Sequence, residues 1–125
     1  MMKVWRGLFA FAAIYNLIVG GVMLAAPERV AAAFDVSGAG GGFMIAMCGI
    51  LIAVFGVGYA MVSAALAKNR GIVWIGMIGK FAVVLLAASR FAAAGGALPL
   101  DQVALPFGDL VFVAAFALFL WRGPR

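Results

Sequence analysis

Four long apolar stretches, each closed by polar residues, glycine or proline, organise the whole chain. They run from about Trp5 to Ala25, Gly42 to Ala67, Ile72 to Ala94 and Val103 to Trp121. A helix needs about 20 apolar residues to cross a hydrocarbon core roughly 30 Å thick, and each stretch is near or above that length. Pro27 closes the first, Lys68-Asn69-Arg70-Gly71 the second, and Gly95-Gly96 with Pro99 the third. The pattern predicts an all-α fold, an integral membrane four-helix bundle forming a single domain over residues 1–125. Lys3 and Arg6 ahead of the first stretch, with Ala25-Ala26 at its end, resemble a secretion signal. That apolar run is too long for a signal peptide and Pro27 would follow the cut, so it is read as a retained span.

Small residues mark the faces expected to meet protein. In the second stretch Gly49, Ala53, Gly56, Ala60, Ser63 and Ala67 recur at alternating spacings of four and three, one stripe of a helix. Ala12, Asn16 and Gly20 form a shorter seam in the first, and Gly76, Lys80, Val84 and Ala87 one in the third. The spacing leaves open whether the partner helix lies in the same chain or a second copy. Between the first two stretches, Pro27 to Val36 suits a short surface helix, and the run Ser37 to Gly42 a flexible hinge.

Four polar residues interrupt the apolar runs. Counted from the cytoplasmic end of each span at 1.5 Å per residue, Asn16 lies at about 16 Å, Tyr59 at about 12 Å, Lys80 at about 14 Å and Asp109 at about 18 Å. All fall near mid-membrane. A charge there costs at least ~2.5–3.5 kcal/mol on insertion scales, so Lys80 and Asp109 are expected to pair, with Asn16 and Tyr59 completing their hydrogen bonds. Pro106, if it opens the fourth helix, would leave Asp109 wetter and nearer the outer face. The pair has two readings: a static link that fixes neighbouring helices, or a proton or substrate site in transport.

Composition narrows the functions. The chain is 68% hydrophobic and 10% charged, too few charges to clothe a soluble domain. It has no histidine and one cysteine, Cys48, which removes histidine-based triads, CxxC redox pairs, intrachain disulfides and the usual haem and zinc sites. Glu28, Asp35, Asp101 and Asp109 form no evident acid–base pair, and the chain is read as a non-enzyme without cofactor. Met44, Met47 and Cys48, with Met23, offer soft sulfur, but methionine is chiefly a gap-filler and no metal site is assigned.

The net charge of +5 is read through its placement. Six of the nine basic residues (Lys3, Arg6, Lys68, Arg70, Arg122, Arg125) fall on one side of the predicted membrane. Both termini are therefore expected in the cytoplasm, the bias opposes dual topology, and the basic residues are read as contacts to lipid headgroups, not nucleic acid. Trp5, Trp74 and Trp121 are expected at the interfaces, and Arg90 as an outer anchor.

YNLIVGG at 15–21 followed by Pro27, GVGY at 56–59, IGMIGK at 75–80 and GDLVF at 108–112 resemble the small four-helix DoxX-like membrane proteins. The resemblance covers the whole chain and implies an accessory role beside membrane redox or assembly systems, in a bacterial inner membrane. The leading expectation is a non-enzymatic accessory subunit or assembly factor that docks on other membrane subunits or on itself. The alternatives are a small proton-linked transporter using Lys80 and Asp109, and a redox component binding quinone beside Tyr59.

Overall fold

In the computed structural model the described residues are 1–36, 38–97 and 100–125, with 100–103 described as backbone only. They contain five helices and no strand: α1 (Met2–Ala25), α2 (Pro27–Ala33), α3 (Gly41–Ala64), α4 (Arg70–Ala93) and α5 (Leu100–Arg122). Four of these are long and apolar enough to cross a membrane. At 1.5 Å per residue, the 24 residues of α1 reach about 36 Å, more than the hydrocarbon core. Ser37 of the expected hinge and Pro99 of the third break lie outside the described residues, as does the side chain of Asp101.

Each helix end has a local cause. Ala26, ahead of Pro27, leaves the helical region (φ −136°, ψ 55°), which stops α1. Pro27 then opens α2 at a position where no N–H is needed, with Glu28 in its first turn. α2 ends in a Schellman motif: the Val36 amide donates to the Ala31 carbonyl at 2.8 Å and the Asp35 amide to Ala32 at 3.2 Å. Asp35 takes the left-handed position (φ 58°) that glycine usually fills. α4 closes the same way, Gly96 donating to Phe91 and Gly95 to Ala92, both at 3.0 Å, with Gly95 at φ 63°.

The structure moves several expected boundaries. α3 stops at Ala64, short of Ala67, and Ala65–Asn69 form the turn before α4 begins at Arg70. Pro106 lies inside α5 and does not open it, because the helix has already started at Leu100. The expected hinge run divides: Gly38 and Gly40 are exposed with open space beside them, while Gly41 and Gly42, the first residues of α3, are buried. Gly40 caps α3 at φ 89°, a side chain on Gly41 would strike the Val36 carbonyl, and one on Gly42 the Glu28 carboxylate.

The chain divides into two compact units, essentially Lys3–Ala65 and Leu66–Arg125. In the first, α1 and α3 run antiparallel, with Arg6 opposite Ser63, Asn16 opposite Ile52 and Gly20 opposite Gly49. α2 packs on α3 through the fully buried Ala31. In the second, α4 and α5 pair antiparallel, with Arg70 opposite Leu120, Lys80 opposite Asp109 and Phe91 edge-on to Phe107. Phe112, Phe116 and Phe119 are buried along one stripe of α5, and Val73, Gly76 and Val84 along one of α4.

Candidate functional site

The seam of the first unit is a backbone-to-backbone contact. A Cβ on Gly20 would lie 2.6 Å from the Gly49 carbonyl oxygen and 2.8 Å from the Ala53 amide nitrogen. One on Gly56 would lie 3.1 Å from the Ala13 carbonyl and 2.9 Å from a Leu17 side-chain carbon. Glycine thus brings α1 and α3 close enough for main-chain contact, and the partner of the α3 seam is α1 of the same chain. The stripe does not continue through Ala60, which is exposed; Tyr59 is buried in its stead. The period of the real helix explains the change: 3.6 residues per turn drifts off a strict 3.5 repeat by about 20° each heptad.

Two polar side chains tie that pair together. Asn16 Nδ2 donates to the Ile52 carbonyl at 3.3 Å, and Ser63 Oγ donates to the Arg6 carbonyl at 2.9 Å. In lipid, such interhelical bonds average about 0.6 kcal/mol, so they select register more than they add stability. Asn16, expected beside Lys80 and Asp109, donates this bond within the first unit, and those two residues belong to the second. Tyr59 is buried in the same unit, its ring 6.2 Å from that of Phe55.

Lys80 and Asp109 meet in the second unit. Nζ donates to Oδ1 at 2.6 Å, with the two side chains only 11% and 16% exposed. The ammonium also lies 4.9 Å from the centre of the Phe112 ring, one turn along α5 from Asp109. The carboxylate and the aromatic face both stabilise the ammonium. The pair's geometry suits a fixed link between α4 and α5.

Arg70 does what the sequence reading missed. Its guanidinium donates from Nη1 to the carbonyls of Pro124 (2.7 Å) and Gly123 (3.4 Å), and from Nη2 to that of Leu120. It lies 5.3 Å from the centre of the Phe119 ring. The last carbonyls of α5 have no helical donors and carry the negative end of its dipole, so a cation from the start of α4 satisfies both needs. The signal was available in part: Gly123-Pro124 announces a helix stop with orphan carbonyls. Which cation would cover them depended on the pairing of α4 with α5.

The remaining candidates separate. Met44, Met47 and Cys48 are exposed, while the Met23 stem packs against Gly49. Trp74 and Trp121 are exposed, as interfacial rings would be, but Trp5 is only 6% exposed and belongs to a core. No group of three or more acidic, histidine or cysteine side chains converges as a metal site among the described residues. Comparison with protein-family models, curated proteins and solved structures finds no match to this chain.

Proposed function

We propose that this protein is a non-enzymatic accessory subunit or assembly factor of a membrane protein complex. In this reading it is a four-helix bundle in a bacterial inner membrane with both termini cytoplasmic. The observation that carries the reading is how the polar and apolar groups are used. Only 17% to 28% of the residues in the apolar stretch of each span are buried, and large side chains such as Phe11, Leu51, Ile75 and Val111 are exposed, a surface suited to lipid or to other transmembrane helices. Meanwhile Asn16, Ser63, Arg70, Lys80 and Asp109 all bond to partners inside their own units. Polar groups spent on internal register, beneath an apolar exterior, suit a part whose task is docking. The DoxX-like resemblance supports the same role.

The rival reading, a small proton-linked transporter, rests on the closeness and shielding of Lys80 and Asp109. A double variant, Lys80→Met with Asp109→Leu, separates the two. An accessory subunit carrying it stays folded and co-purifies in nanodiscs with the same larger complex as the parent. A transporter carrying it stays folded and loses proton-coupled flux in liposomes loaded with a pH-sensitive dye. Loss of flux with unchanged folding would overturn the accessory reading.

A further inference from the structure

We propose that the end of the α4–α5 hairpin bearing Lys68, Arg122 and Arg125 is a binding site for an anionic glycerophospholipid. Its phosphate would sit among those three side chains and its acyl tails along the adjoining helix faces. The inference rests on the membrane-spanning reading above and adds a lipid class and a location to it.

Arg70 occupies the place that a cation of α5 itself would normally take. The final turn of α5 contains Arg122, a basic residue in the position that usually serves a helix C-terminus. Arg70 has taken that place, donating to Leu120, Gly123 and Pro124. Arg122 is instead exposed, its guanidinium 4.6 Å from the centre of the neighbouring Trp121 ring. Lys68 and Arg125 are exposed as well. With the negative helix end already covered by Arg70, these three cations stay at the surface.

The segments that carry them have no acidic side chain. Residues 66–76 and 113–125 contain no aspartate or glutamate. Asp109 is 13 residues before Arg122, about 20 Å along the helix, and is engaged by Lys80. The first turn of α4, whose dipole favours anions, points to this same end and receives no side-chain cap. The other end of α4 carries one basic residue in its last turn, Arg90.

The apolar neighbours decide for a lipid over a soluble anion. Trp121 is 69% exposed and Trp74 52%, both toward this end of the hairpin. An exposed indole beside basic side chains matches the boundary between headgroups and acyl chains. Val111 and Leu118 on α5, with Ile75 and Ile78 on α4, continue the exposed apolar surface away from it. A free phosphate would use the cations alone; a phospholipid uses the cations and that surface together.

The test uses the full chain in phosphatidylcholine vesicles containing a small fraction of brominated phosphatidylglycerol or, in parallel, brominated phosphatidylcholine. Trp5→Phe and Trp74→Phe leave Trp121 as the fluorophore. Each nearby cation contributes about fivefold to anionic-lipid affinity, so quenching by phosphatidylglycerol should exceed that by phosphatidylcholine at least fivefold. The excess should shrink at high salt and vanish in Lys68→Gln/Arg122→Gln/Arg125→Gln. Because Trp5 is a core residue, native mass spectrometry of the chain with all three tryptophans provides a second readout: preferential retention of phosphatidylglycerol, abolished by the triple variant. Equal quenching and retention of the two lipids, or a preference that survives the triple substitution, overturns the site. Quenching by neither lipid would overturn the membrane reading itself, and this inference with it.

Discussion

A lysine and an aspartate placed in the middle of a bilayer each avoid a large desolvation cost by meeting the other. Lys80 and Asp109 do so at 2.6 Å, with Phe112 against the ammonium. Removing one partner leaves an uncompensated shielded charge, so Lys80→Met alone should lower unfolding free energy by about 3 kcal/mol. Asp109→Leu alone should cost a similar amount. The double variant should recover most of that loss, since a buried ion pair and a well-packed apolar pair are close in stability. Reversible unfolding in mixed detergent micelles, run as a double-mutant cycle, checks this. Both residues stood out in the sequence because a charge in an apolar run is conspicuous. Trp5 did not: whether an indole near a helix end reaches the interface or turns into a core depends on neighbours brought in from elsewhere in the chain.

For the helices, packing is decided by which glycines meet a backbone. Gly20 meets α3 main chain, whereas a side chain on Gly7 in the same helix would meet nothing within 4 Å. Gly20→Ala should therefore force α1 and α3 apart and cost about 1–3 kcal/mol, while Gly7→Ala should be neutral or gain up to about 1 kcal/mol from helix propensity. Thermal unfolding of the two variants side by side gives the comparison. The pairing of α4 with α5 predicts a different failure. Arg70→Lys keeps the charge but not the fork that spans three carbonyls, and should cost about 1–2 kcal/mol. The loss should appear in hydrogen exchange as faster exchange of the final α5 turn, around Trp121–Gly123, with the centre of α5 unchanged. The small-residue stripe was legible in the sequence, but its continuation through Ala60 was not, because a 3.5-residue repeat only approximates the helix period.

Both units expose many of their large apolar residues. Phe11, Leu51, Ile75 and Val111 are all more than 60% exposed, an arrangement that water would penalise and lipid tolerates. The proposed orientation, with two basic residues at each of three cytoplasmic positions, has a direct consequence. In a Cys48→Ala background, a cysteine at Asn69 should react with a membrane-impermeant maleimide only from the cytoplasmic side, and one at Gly38 only from the opposite side. Labelling of both positions from one face, or of each from both, would refute the assigned topology.

Composition and order along the chain were enough to determine four membrane-length helices, the breaks between most of them, and the two charges that could not remain alone in lipid. Those properties are local: apolar length, proline, glycine and the cost of a stranded charge can all be evaluated one segment at a time. Only tertiary structure decided that the α3 seam is answered by α1, that Asn16 serves Ile52, that Gly41 and Gly42 at the start of α3 are packed against Val36 and Glu28, and that Arg70 caps a helix 50 residues away. The reason is common to all four. A small residue or a hydrogen-bonding group states that it needs a neighbour, and its identity is set by the register in which distant segments come together.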